Sequence, residues 1–358
     1  MHFARIFLCL RSIGLSLQIL KPLMDYWRGV LRVPVGSSST SYCRVAVCLC
    51  ISSFSKSLVV PSVNAIFFSG DRVEGTRNPV IERLSDLQNI AEILVSKFGA
   101  SVNAWVIEAP VFNGPFAVYR DFIPSVNRCG EPKFYSAAEF PASTSTISLL
   151  SNCLREVKNV MSAKEKGPLS TLLQSPSSEP KTFVLGFSKG GTVLNQLVTE
   201  LSLSEVKSST PEHCTSKESS GEVHIVPCSK ESLLKSIAEI HYVDVGLNSA
   251  GAYITDHNVI ESVSKITQGI RFVLHGTPRQ WCDRHRVWLC NEKDKLVNLL
   301  ESAAQRSGGK LKVKIAELCK CQGAIDLTQK LKLIGSELSI TCSKRLRYHE
   351  KDAFIPKA

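Results

Sequence analysis

From about residue 60 the chain alternates short apolar runs with segments of helical spacing. Asn64–Phe68 is a run of strand type that ends at Ser69-Gly70-Asp71. Leu84, Leu87, Ile90, Ala91, Leu94 and Val95 recur at helical spacing, which predicts a helix over Ile81–Phe98. Ala104–Ile107 reads as the next strand, and a loop-rich stretch follows to about Pro141. Thr144–Val160 reads as a helix and Thr182–Leu185 as a strand. Thr192–Leu201 places Val193, Leu194, Leu197 and Leu201 on one helical face. Ile240–Val245, Val259–Thr267, Ile270–Leu274, Asp294–Gln305 and Leu311–Leu318 continue the alternation, strand first. Gly308-Gly309 closes the last of these helices. A helix between successive strands must cross over a sheet face, so the pattern implies an α/β fold. Its sheet is mostly parallel with helices on both faces, a three-layer sandwich.

Three segments stand outside the alternation. Residues 1–60 are basic and rich in Ser, and residues 202–232 are polar without a period. Cys319–Arg347 breaks the pattern again. The expected organisation is therefore a largely disordered targeting segment over 1–60 and an α/β domain over 61–318. The domain carries a mobile insertion at 202–232, and an atypical C-terminal segment follows over 319–358.

Charge changes this picture at one end only. The net charge is +11, but residues 1–60 hold seven Lys/Arg and one acid, Asp25. Six of the eleven charges sit there, so the excess points to an address rather than to nucleic acid. A basic, acid-poor segment is drawn inward across an energised membrane. A mitochondrial location is expected, with a plastid as the alternative. No apolar run near the start reaches the ~20 residues that span a bilayer. The thirteen cysteines include no CxxC, which fits free thiols in a reducing compartment. There is no GxxxxGK[ST], no GxGxxG and no HExxH. Neither a cofactor nor a metal is expected, and no basic-aromatic stripe suggests a nucleic-acid partner.

Thr182–Gly191 carries the chemistry. It contains G-x-S-x-G as Gly186, Ser188 and Gly190, between an apolar strand and an amphipathic helix. A nucleophile elbow requires that context: a strained turn lifts the hydroxyl clear of the sheet, and glycines admit the close packing. The N–H of Lys189 could donate to a developing oxyanion. A second donor would come from the loop after the Asn64–Phe68 strand, where Gly70 and Asp71 lie. The alternative is that Ser188 only caps a helix and the glycines serve packing.

The acid and base of a Ser-Asp-His triad should follow the serine. Two acids compete. Asp244 ends the strand after the serine helix, and Asp283 lies in the loop after the next strand and is slightly preferred. Their structural alternatives are a loop anchor and an ion pair with Arg279, Arg284 or Arg286. His349 is the base by elimination, as the histidine beyond the last strand, and His275 is the fallback. The expected function is a serine hydrolase acting on a small-molecule or lipid acyl substrate. A catalytically inactive scaffold on the same fold is the alternative.

The run GFSKGGTVLNQLVTEL at Gly186–Leu201 resembles a eukaryotic family of esterase/lipase-like mitochondrial proteins, named for chromosome 2 open reading frame 69. Phe67–Asp71, Asn89–Ile107, Tyr242–Gly251 and His275–Trp288 are similar too, so the resemblance covers about residues 64–315. It implies an α/β-hydrolase-like fold, a mitochondrial location, Ser188 as nucleophile and Asp283 as a plausible acid. The chain departs from the family at Val245-Gly246-Leu247 and from about Cys319 onward.

Overall fold

The computed structural model describes residues 24–36, 41–73, 82, 85–164, 179–204, 224–266 and 269–317. Eight strands form one sheet: β1 (Met24–Pro34), β2 (Tyr42–Ser52), β3 (Val63–Phe68), β4 (Val102–Ile107), β5 (Lys181–Phe187), β6 (Ile237–Val243), β7 (Ile270–Gly276) and β8 (Leu311–Glu317). The spatial order is β1-β2-β4-β3-β5-β6-β7-β8. β2 runs antiparallel to both β1 and β4, and every later pairing is parallel.

β3 and β4 are buried at all six positions each, VNAIFF and VNAWVI. A parallel strand covered on both faces reads as a nearly continuous apolar run, and these two do. The asparagines within them are hydrogen-bonded, although Asn103 Nδ2 has no partner among the described residues. Asn64 accepts from Trp105 Nε1 at 3.0 Å and donates to Ile225 O at 2.9 Å, and Asn103 accepts from Cys50 N at 2.8 Å. Without those partners each buried amide would cost about 1–3 kcal/mol.

Strand alternation divides the core in two. Val45, Val47, Leu49, Ile66, Phe68 and Trp105 point to one face. That face is covered by α2 (Pro141–Lys164), α3 (Gly191–Leu203), α4 (Lys230–Ser236), α5 (His257–Ser264) and α7 (Val287–Arg306). Ala46, Cys48, Ala65, Phe67, Val106 and Leu185 point to the other, against α1 (Leu87–Phe98). A short α6 (Pro278–Trp281) follows β7. The three-layer α/β sandwich expected from the alternation is present.

The structure differs from the expected organisation in the N-terminal segment and at the end of the insertion. Residues 24–52 are the first two strands and not part of a disordered leader. The arginines that suggested an address, Arg28, Arg32 and Arg44, are exposed or partly exposed on β1 and β2, while Val45, Val47 and Leu49 are fully buried. The rest of the expected targeting segment, residues 1–23, lies outside the described residues. α4 begins inside the expected insertion, where Ser229 and Ser232 form a reciprocal capping box. Residues 205–223 and 318–358 lie outside the described residues, and with them His349.

Candidate functional site

β5 runs into a single 3-10 turn, Ser188–Gly190, and then into α3. Ser188 takes φ +50, in the left-handed region that a residue with a side chain rarely adopts. Such a conformation costs about 1–3 kcal/mol and persists only where neighbours enforce it. The neighbours are glycines packed to contact. A Cβ on Gly190 would stand 2.1 Å from Phe68 O, and one on Gly186 would stand 2.7 Å from Gly190 O. One on Gly191 would meet the Val245 side chain at 2.4 Å. Each glycine of the motif therefore admits a backbone approach that no other residue permits.

The loop after β3 closes on this turn. A Cβ on Gly70 would lie 2.7 Å from Ser188 Cβ and 3.0 Å from Phe187 O. Ser69 N donates to Ile107 O at 2.9 Å and Arg72 N to Pro115 O at 2.8 Å. Between them the N–H groups of Gly70 and Asp71 donate to no acceptor among the described residues. The sequence-based oxyanion candidates Gly70 and Asp71 thus lie beside the serine.

Lys189 is more than a backbone donor. Its side chain is 2% exposed and its Nζ lies 3.1 Å from Asp71 Oδ1. The ammonium also donates to Cys129 O at 2.5 Å and sits 4.5 Å over the Phe116 ring. Asp71 Oδ1 in turn accepts from Ala117 N at 2.7 Å. One buried cation therefore ties the serine turn to the β3 loop and to two small hairpins, Val111–Val118 and Ser125–Phe134. Glu131 extends the tie, accepting from Asn248 N at 2.7 Å and Ser249 Oγ at 2.8 Å in the loop after β6. Those bonds hold its carboxyl below the usual range against the opposing effect of burial. Neither the Lys189 side chain nor Glu131 was singled out in the sequence, and only the position of Lys189 inside the motif hinted at the first.

The two acids are placed differently. Asp244 is 8% exposed at the end of β6 with φ +48. Its Oδ1 accepts from Thr277 N at 2.9 Å and Thr277 Oγ1 at 2.8 Å. Asp283 accepts from His285 N at 2.9 Å and Arg286 Nε at 2.8 Å. The hydrogen bond from Arg286 holds its carboxyl below the ordinary range. A chain of bonds joins the two: Arg286 Nη2 donates to Gln280 Oε1 at 2.7 Å, and Gln280 Nε2 to Asp244 O at 3.3 Å.

His275 does not reach the serine. It lies in register with Val243, so its ring points to the α1 face of the sheet. There it stacks on His241 at 5.8 Å and 4° between planes, with no hydrogen-bond partner for either ring nitrogen among the described residues. Burial pushes its pKa down to about 3. None of the five histidines among the described residues is hydrogen-bonded to Ser188. Among those residues there is also no metal-binding group of three or more His, Cys, Asp or Glu, and no helix long and apolar enough to cross a membrane.

The sheet order, with β2 alone reversed in the interior, and a serine on the turn between β5 and the next helix define a protein of the α/β-hydrolase fold. The resemblance drawn from Gly186–Leu201 holds as well: the C2orf69 family model matches residues 141–305. The chain is 27% identical over 285 residues to human "Mitochondrial protein C2orf69", covering 67% of each chain. It is 28% identical over 251 residues to the mouse homolog, a match spanning 60% of this chain and 61% of the relative. Among solved structures it is similar to the siderophore hydrolase EstA from Aspergillus nidulans, at 12% identity and TM-score 0.43, covering 88% of this chain and 94% of that one. An IroE-like serine hydrolase from Shewanella oneidensis gives 12% identity and TM-score 0.41, covering 87% and 78%.

Proposed function

We propose that the chain is a mitochondrial serine hydrolase that cleaves an ester or thioester, with Ser188 on a nucleophile elbow. The observation that carries this reading is Ser188 at φ +50 with Gly70 packed against it. That strain has no use in a helix cap, whereas an attacking hydroxyl needs it to stand clear of the sheet. Ser188 Oγ attacks the acyl carbon, and the N–H groups of Gly70, Asp71 and Lys189 take the negative charge that develops on the carbonyl oxygen. His349 accepts the serine proton, and an aspartate orients its ring. We assign this role to Asp244, whose strand ends next to that of Ser188, with Asp283 as the alternative. The names of the human and mouse relatives support the mitochondrial location. Hydrolysis of 4-nitrophenyl esters by the full chain tests the reading. Turnover should fall to background in Ser188→Ala and His349→Ala, and equal turnover in Ser188→Ala contradicts it.

A second reading is favoured by one observation: no histidine among the described residues engages Ser188. On that reading the fold is an inactive scaffold that binds a protein partner. A soluble, folded chain that neither turns over esters nor reacts with an acylating probe would support it.

A further inference from the structure

A shallow cleft, open to solvent, lies beside the serine turn. Phe67, Leu87, Phe112 and Phe187 give it apolar walls, and Gly70 forms part of its lining. Gly70 is also the residue packed on Ser188, so the cleft and the nucleophile share a wall.

Three charged side chains line it: Asp71, Arg72 and Glu108. The two acids are matched, Asp71 by Lys189 at 3.1 Å and Glu108 by Arg44 at 3.3 Å. Arg72 has no carboxylate partner among the described residues. Its guanidinium lies 4.1 Å over the Phe112 ring. Stacking holds the planar cation in place and leaves its N–H edge for a ligand. Among the described residues one positive charge is therefore left over at the cleft.

We propose that this cleft binds an acyl chain whose far end carries a carboxylate, so that the substrate is a half-ester or half-thioester of a dicarboxylic acid. This rests on the serine-hydrolase reading above. The methylenes lie against the phenylalanines, and the distal carboxylate meets Arg72. Ser188 Oγ bonds to the acyl carbon, its proton passes through the base to the departing alcohol or thiol, and water then releases the diacid and restores the serine.

The test compares two alkyl fluorophosphonates of equal chain length on the full chain, one ending in a carboxylate and one in a methyl group. Labelling of Ser188 is followed by intact mass. The carboxylate reagent should react about tenfold faster or more, the discrimination a charge-assisted hydrogen bond supplies. Arg72→Met should bring the ratio to about one and Arg72→Glu should invert it, as loss and reversal of the charge require. Arg72→Lys, which keeps the charge, should retain part of it, separating charge from disturbance at Phe112. Equal labelling of the wild type by both reagents, or a ratio that survives Arg72→Met, overturns the anionic subsite and leaves the serine-hydrolase reading standing. Failure of both reagents to label overturns that reading and this inference with it.

Discussion

Ser188 and Asp244 leave neighbouring strands at the same level and in the same backbone region. The register pairs Phe187 with Val243, and the next residue on each strand has positive φ, 50 for Ser188 and 48 for Asp244. Two adjacent left-handed residues at the carboxyl ends of parallel strands are an investment of strain at one spot. They set an acid beside the serine turn. Asp244→Asn should therefore slow acylation of Ser188 by about 10²–10⁴-fold, the range for an orienting carboxylate. Asp283→Asn should change it by less than about threefold, as for a group outside the proton path. Stopped-flow burst kinetics on both variants separates the acids, and the opposite ranking would move the triad to Asp283.

Gly70 offers a second handle. Its Cβ would enter Ser188 Cβ, Phe187 O and the Phe187 ring at 2.7–3.2 Å. Gly70→Ala must push the β3 loop outward, moving the Gly70 and Asp71 N–H groups away from the oxyanion site proposed above. Losing one such donor costs about 10²–10³ in rate, whereas overpacking costs about 1–3 kcal/mol of stability. Acylation rate and melting temperature measured together should show the rate loss far exceeding the stability loss.

The Lys189–Asp71 pair predicts coupled behaviour. Lys189→Met strands the Asp71 carboxylate, and breaking a buried pair costs about 3–5 kcal/mol. Asp71 is 31% exposed, so solvent lowers the expected cost to about 2 kcal/mol. Adding Asp71→Asn should recover part of that stability and none of the acylation rate, because the β3 loop stays untied. Full kinetic rescue by the double variant would show that Lys189 serves stability alone.

His275 and His241 make a pH prediction. Burial lowers both, His275 to about 3. His275 is therefore neutral in the fold, and unfolding lets it take up a proton below its ordinary value of about 6.5. The stability from a neutral His275 is complete above about pH 6.5 and drains away as pH falls from there to about 3. His275→Phe should flatten the denaturation midpoint against pH in that window, by up to about 1.4 kcal/mol per pH unit. An unchanged slope would contradict the buried neutral ring.

Much of this fold was legible because the parallel strands are apolar on both faces. Val63–Phe68 and Lys181–Phe187 differ from their expected bounds by only a few residues. β1 and β2 were hidden because their outward positions are basic. Arg28, Arg32 and Arg44 read as an address, while the alternation Val45, Val47, Leu49 that marks a strand was passed over. The G-x-S-x-G turn and Gly70 were legible because glycine has no substitute where backbones touch. The Lys189 tie, Thr277 beneath Asp244 and Arg286 on Asp283 depend on contacts between distant segments, which no local pattern encodes. His275 ended a strand as expected, but strand parity turned its ring to the α1 face.

The most direct test of the central claim is the mass of the full chain after incubation with a fluorophosphonate. One adduct should form, map to the peptide containing Ser188, and be absent in Ser188→Ala. An unmodified wild-type chain, or an adduct that persists in Ser188→Ala, would contradict the assignment of Ser188 as the nucleophile.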